Sequence, residues 1–211
     1  MEASNWWWTL GAVALFVVAR PLARLLIAGA FGKQVGATAL AQQPDTIHLE
    51  PAPAAAWRDA ENARRVASAL ATLGFETAGT FRVPELPGIT LELLAHPGES
   101  MYAAVYEHPQ AGAWFEYFVR CQDGTSVTFT TLAPNGLADR PDHPLVRSVG
   151  ADPRSLFEKA QERKPRKPLD PARAANVVSV FETGYADSMA WRKEQGISRM
   201  EVVRVAMKKA A

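Results

Sequence analysis

The fold is decided by residues 89–130, which read ITLELLAHPGESMYAAVYEHPQAGAWFEYFVRCQDGTSVTFT. Hydrophobic and aromatic residues recur at alternate positions in four stretches, as expected for β-strands that bury one face. Turn-forming residues separate these stretches, and the pair Asp123–Gly124 is typical of a tight hairpin. No connection is long enough to hold a crossover helix, so we expect consecutive strands to be antiparallel neighbours.

A fifth stretch precedes these four, and together they predict a five-stranded antiparallel meander. Alternation places Ile89, Leu91 and Leu93 on a core face, and assigns Phe115, Tyr117 and Val119 to the core side of their own strand. The opposite side is mixed: polar residues are interrupted by Leu94, Trp114 and Phe118. The predicted strands are approximately Ala78–Val83, Ile89–Ala95, Met101–Glu107, Ala113–Cys121 and Thr125–Thr131.

Helices are predicted on both sides of the meander in the chain. Apolar residues at helical spacing predict one helix over Trp57–Leu73, which Gly74 terminates. Asp152–Pro153 and Asp170–Pro171 each place an acidic N-cap before a proline, and Ser198 with Glu201 forms a capping box. The expected fold class is therefore α+β, with one soluble domain over residues 57–211 whose sheet is packed by N- and C-terminal helices.

The N-terminal residues 1–33 predict a single transmembrane anchor. Trp6–Ala19 carries no charge, but its helix would rise only about 21 Å against a hydrocarbon core of roughly 30 Å. A spanning helix must therefore include Arg20 and Arg24, whose guanidinium groups can reach the headgroups at one interface. Indole rings favour the opposite interface, where the triplet Trp6, Trp7 and Trp8 would lie.

Flanking charge predicts the orientation of the anchor. Arg20, Arg24 and Lys33 follow the apolar run and no basic residue precedes it, so the positive-inside rule places the soluble domain in the cytoplasm. An Ala- and Pro-rich tether, residues 34–56, would join the anchor to the domain. The alternative is a cleaved signal peptide ending near Ala39–Leu40–Ala41, although the acidic start of the chain opposes it.

Composition and motifs exclude several classes of function. With a net charge of +1 over 211 residues, the chain lacks the broad basic field of a nucleic-acid-binding protein. Its single cysteine, Cys121, rules out an intramolecular disulfide framework. We find no phosphate-binding glycine loop and no nucleophile elbow, and we assign no catalytic residue, metal or cofactor. Cys121 with His143 would make a nucleophile and base if the fold brought them together.

The basic run at Arg163, Lys164, Arg166 and Lys167 is the clearest charge feature outside the anchor. One interpretation is contact with anionic lipid headgroups, which a nearby anchor would favour. The other is a solvated linker between two capped helices. No aromatic residues are interleaved with these charges, so nucleic acid is the least favoured partner.

Trp114 and Phe118 mark the candidate surface for a partner or ligand, because they stand among polar residues on the mixed side of the sheet. Alternatively, the tether or a terminal helix packs over them. The leading hypothesis is a membrane-tethered, non-catalytic interaction or accessory domain, with a membrane protein partner bound through the anchor or through this sheet face. The alternative hypothesis is a membrane-bound enzyme or small-ligand carrier with a pocket between sheet and helices.

Overall fold

The computed structural model describes residue 34 and residues 36–208, which divide into two compact units. The main unit comprises Pro44–Pro134 and Asp139–Trp191. The second unit contains Asn135–Ala138 together with the described residues before Pro44 and after Trp191. Within this described part, no helix combines the length and the hydropathy that crossing a bilayer requires. The predicted anchor lies outside the described residues, as do Trp6, Trp7, Trp8, Arg20 and Arg24.

The main unit is built on a seven-stranded sheet, and the α+β fold class is confirmed for the described residues. The strands follow one another across the sheet in chain order. All neighbours are antiparallel except the last pair. The strands are β1 Glu50–Pro51, β2 Glu76–Arg82, β3 Thr90–His96, β4 Met101–His108, β5 Gly112–Arg120, β6 Ser126–Thr130 and β7 Leu145–Arg147.

The prediction of five strands was wrong, because β1 and β7 extend the meander at its two edges. β1 is only two residues long and contains Pro51, and β7 is only three residues long. Segments this short show no alternation that a sequence pattern could reveal. The antiparallel order predicted for the five central strands is confirmed, whereas the additional strand β7 runs parallel to β6, and residues 131–144 make the return without a helix.

The α-helices with fully described bounds are α1 Ala60–Thr72, α2 Pro153–Arg163, α3 Val177–Gln195 and α4 Arg199–Lys208, and residues 36–41 are also helical. Asp152 caps α2 as predicted, because its carboxylate accepts the backbone N–H groups of Arg154 and Ser155 at 3.0 and 3.1 Å. The cap predicted at Asp170–Pro171 is wrong. There the backbone N–H of Asp170 donates to the carbonyl of Arg120 at 2.9 Å, which holds the segment against the sheet.

Both faces of the sheet carry a hydrophobic core. On the first face, Tyr117 and Phe129 pack with residues of α1 and α2. On the second face, Leu91 and Leu93 pack with α3 and with Ile47 and Leu49 of the segment predicted as a tether.

The prediction that Leu91 and Leu93 share one core face with Tyr117 was wrong. Leu91 pairs with Tyr106, and Tyr106 pairs with Trp114, so these three side chains lie on the second face. Tyr117 pairs with Ala103 and lies on the first face. Alternation within each strand was read correctly, but alternation does not specify the register between strands.

Candidate functional site

Four aromatic rings pair across β4 and β5 on the second face of the sheet. Tyr102 stacks on Phe118 with ring centroids 5.1 Å apart, and Tyr106 stacks on Trp114 at 4.5 Å. Each stack joins directly opposed residues of neighbouring strands, where side chains approach most closely. We call Tyr102, Tyr106, Trp114 and Phe118 the aromatic face. The predicted partner residues Trp114 and Phe118 therefore lie together, and residues of α3 such as Phe181 pack on the same cluster.

A carboxyl group lies in the middle of the aromatic face. Glu116 lies between Trp114 and Phe118 on β5, and the hydroxyl of Tyr106 donates to its Oε1 at 2.6 Å. Burial raises the pKa of Glu116, because the charged form loses hydration, while hydrogen bonds from Tyr106 and Thr130 oppose the rise. The structure thus places a carboxyl group with a raised pKa among aromatic rings.

The indole nitrogen of Trp114 adds a hydrogen-bond donor to this region. Within the described chain, Nε1 of Trp114 is a buried side-chain donor with no acceptor. Leaving such a donor unpaired costs about 1–3 kcal/mol, so the arrangement is unfavourable unless something else satisfies it. An acceptor atom of a bound ligand or partner would remove this cost.

A hydroxyl and an imidazole meet at the start of β6. The side chains of Ser126 and His143 share a hydrogen bond of 2.7 Å between Oγ and Nδ1. Burial, together with the positive charges of Arg140 and Arg120, lowers the pKa of His143 and favours the neutral ring. A neutral imidazole beside a hydroxyl is the first requirement of a nucleophile and base pair. Among the described residues, no carboxylate hydrogen-bonds to the second ring nitrogen to orient it.

His143 shares this hydrogen bond with Ser126 and not with Cys121, its hypothetical partner in a nucleophile and base pair. Cys121 is 1% exposed, and its backbone N–H donates to the carbonyl of Thr125 at 2.8 Å. The thiol is therefore a small buried core group. Within residues 34 and 36–208, no group of three metal-ligating side chains is placed to hold a metal ion.

Two residues of the predicted basic run form ion pairs. Lys164 forms an ion pair with Glu99, and Lys167 forms one with Asp123 at 2.8 Å. The hydrogen bond from Lys167 is the largest of several contacts that lower the pKa of Asp123. Arg163 and Arg166 are exposed. The run is thus not a uniform patch: both lysines pair with carboxylates, whereas neither arginine forms an ion pair among the described residues.

Sequence reasoning missed the contact between Tyr106 and Glu116, although a signal for it existed. The turn after β4 was predicted, and pairing His108 with Gly112 across it brings Tyr106 opposite Trp114, next to Glu116. The contact between Ser126 and His143 had no such signal, because an irregular segment brings His143 to β6. No family model, curated protein or solved structure matches the chain in the comparisons.

Proposed function

We propose that this chain is a membrane-tethered, non-catalytic interaction domain that serves as an accessory subunit of a membrane protein complex. The tether rests on the uncharged run Trp6–Ala19 and on its flanking charges, which also place the domain in the cytoplasm. The interaction surface rests on the exposure of α3.

The observation that carries the proposal is that α3 leaves most of its large apolar side chains only partly buried. Within the described chain, Val177 is the only α3 residue that is fully buried. Covering apolar surface that water still reaches is favourable, so a partner that buries these residues would gain free energy. A partner protein that covers α3 would complete this burial. The apolar residues of α3 that remain half-exposed include Val178, Val180, Phe181, Tyr185 and Met189.

Glu107 and the ring of His96 are two groups that could serve in catalysis, but both make structural contacts. Glu107 accepts the backbone N–H groups of Arg58 and Asp59 at 2.6 and 2.9 Å, just before α1 begins. The ring of His96 accepts the backbone N–H of Glu99 at 3.3 Å and packs edge-on against Phe75. These contacts account for the placement of both groups without a reaction.

Site-specific crosslinking in intact cells tests the interaction surface. A photoreactive residue at Thr183, which is exposed on α3, should crosslink to one discrete membrane protein. The same residue at Glu158, which is exposed on α2, is the matched control and should not crosslink to it. Crosslinking of equal strength at both positions, or at neither, would contradict the proposal.

Two fractionation experiments test the tether. The full chain should remain in the membrane pellet after carbonate and high-salt washes, because a spanning segment is not released by either. External protease should leave the domain intact in spheroplasts and digest it after lysis. Release by salt would contradict the tether, and digestion in intact spheroplasts would contradict the cytoplasmic orientation.

A small-ligand carrier is the second candidate, and the unpaired Nε1 of Trp114 favours it. Its neighbour Glu116 would supply a second polar group among aromatic rings, which is a common composition for ligand sites. Native mass spectrometry of the purified chain should then detect a bound small molecule, and Trp114→Phe should lose it. Trp191→Phe is the matched control and should retain it. A purified chain without any bound mass would contradict this candidate.

A further inference from the structure

The last helix exposes large apolar side chains along one side. In α4, Met200 is 67% exposed and Met207 is 49% exposed. Val203 lies between them at helical spacing, so the three side chains form one stripe, which we call the methionine stripe. Exposed apolar side chains that cluster on one side of a helix often mark a surface that binds a partner or a membrane.

Basic residues border the methionine stripe on both sides. At 100° per residue, Arg199 lies along one edge, and Arg204 and Lys208 lie along the other. All three side chains are exposed. An apolar centre with basic edges is the pattern of helices that lie in the headgroup region of a bilayer, where long basic side chains reach the phosphates.

The inward side of α4 is held by an acidic residue. Glu201 is 5% exposed and pairs with Arg192 at 3.0 Å. Its carboxylate also accepts the backbone N–H groups of Ala138 and Ser198, each at 2.8 Å. An ordinary surface helix buries its apolar residues and exposes its charges. Here Glu201 is the buried residue of α4, and its contacts hold this side of the helix inward while Met200 and Met207 remain exposed.

The start of the described chain lies close to the beginning of α4. Gly36 approaches Ile197 so closely that an added Cβ would lie 2.9 Å from the Ile197 Cβ. At about 3.5 Å per residue, the chain between Lys33 and Gly36 can extend no further than about 10 Å. If residues 1–33 form an anchor, its last residue is therefore within about that distance of Gly36. A membrane crossed by residues 1–33 would be next to α4.

We propose that α4 lies on an anionic lipid surface, with the methionine stripe at the level of the upper acyl chains and its arginines at the phosphates. This inference rests on the proposed membrane tether and adds a second contact of the same chain with the bilayer. It differs from the basic run at 163–167, which has no exposed apolar stripe. The stripe, its basic edges and the nearby anchor favour lipid over a second copy of the chain, whose matching surface would also be basic.

Depth-dependent fluorescence quenching tests the proposal on the full chain in liposomes. An environment-sensitive fluorophore is attached to Met200→Cys or Met207→Cys under native conditions, in which Cys121 is buried. Val149→Cys is the matched control, since Val149 is exposed in the main unit. In liposomes with anionic lipid, both α4 labels should shift to shorter wavelength and be quenched by lipids with brominated acyl chains. The control label should do neither.

The outcomes distinguish failure of this inference from failure of the tether. Co-flotation of the chain without quenching at either α4 position would overturn the inference and leave the tether intact. A wavelength shift without quenching would mean that protein covers the stripe, and would also overturn it. If the chain does not float with the liposomes, both the lipid contact of α4 and the tether are contradicted. Replacing Arg199 and Arg204 with Gln should reduce quenching in anionic vesicles, whereas Arg154→Gln on α2 should leave it unchanged.

Discussion

Tyr106 and Glu116 lie on neighbouring strands and share a hydrogen bond of 2.6 Å, in which the phenol donates to a partly buried carboxyl group among aromatic rings. The bond explains how an acidic residue is accommodated on this face of the sheet. The fold also determines the pKa of Glu116, because burial favours the neutral carboxyl and the hydrogen bond from Tyr106 favours the charged carboxylate.

Glu116→Gln should stabilise the main unit at neutral pH and have little effect in acid. Burial raises the pKa of Glu116 above 4.5, so the folded state favours the protonated carboxyl. The stability that Glu116 contributes is present when the pH is below its pKa in the unfolded chain. This stability is lost as the pH rises through its pKa in the folded chain. Glutamine is neutral throughout and avoids this loss. Urea unfolding at pH 4 and pH 7 measures the difference.

The matched control for this pH dependence is Glu76→Gln on β2, because Glu76 is exposed. The free energy of unfolding of Glu76→Gln should equal that of the native chain at both pH values. If Glu116→Gln changes stability equally at pH 4 and pH 7, the effect comes from packing, and the raised pKa has no measurable consequence.

Glu107→Ala should destabilise the main unit by about 2–4 kcal/mol, because it removes the acceptor of two backbone N–H groups. Those groups belong to Arg58 and Asp59, and Glu107 itself is buried. Glu107→Gln keeps one acceptor oxygen and should cost less. Chemical denaturation monitored by far-UV circular dichroism provides the measurement, with Glu76→Ala as an exposed control. A cost below about 0.5 kcal/mol would mean that water replaces the carboxylate.

Acid should loosen α4 before it unfolds the sheet. Burial disfavours the charged form of Glu201, but hydrogen bonds from Ala138 and Ser198 and the charge of Arg192 outweigh it and lower the pKa of Glu201 to about 2. The stability that this carboxylate contributes is therefore present above pH 4.5 and is lost between pH 4.5 and about pH 2. Hydrogen exchange of the amides of Arg199–Lys208 should accelerate through this range.

Glu201→Gln should accelerate hydrogen exchange in α4 already at pH 7, because it should lower the free energy of opening α4 by up to roughly 3 kcal/mol. It should also remove the acid dependence. Glu194→Gln, an exposed substitution near the end of α3, is the control and should retain the native profile. Unchanged protection of α4 in Glu201→Gln would show that its apolar contacts hold the helix without the carboxylate.

Lipid binding by the basic run should come mainly from its arginines. Arg163 and Arg166 are exposed, whereas Lys164 and Lys167 already pair with carboxylates. We expect Arg163→Gln with Arg166→Gln to reduce binding to anionic vesicles more than Lys164→Gln with Lys167→Gln does. Both double variants should change stability by less than about 1 kcal/mol, as is usual for such pairs. Cosedimentation at low and high salt measures binding, and equal losses in both variants would contradict this assignment.

Features encoded by neighbouring residues were predictable. Asp152 caps α2 through N–H groups two and three residues away, and the capping box of Ser198 and Glu201 closes over the same distance. The hairpin turns likewise predicted the order of the five central strands. Each depends on a backbone geometry that a few adjacent residues specify on their own.

Asp170–Pro171 shows where local signals fail. The pair has the composition of a helix start, yet the chain forms an isolated bridge between Cys121 and Leu169, and α3 begins only at Val177. Bonding to the end of β5 satisfies backbone groups that a helix would otherwise use. A long-range partner thus overrides a local preference, and the sequence pattern contains no information about that partner.

By itself, the sequence determined the fold class, the central strands, two helix caps and the alternation of side chains within each strand, because these depend on residues close together in the chain. Only the tertiary structure decided the pairing of Tyr106 with Glu116, the edge strands β1 and β7 and the two-sided core. It also decided the inward position of Glu201 and the exposure of Met200 and Met207. Such relationships require register and packing between distant segments, and side-chain periodicity specifies neither.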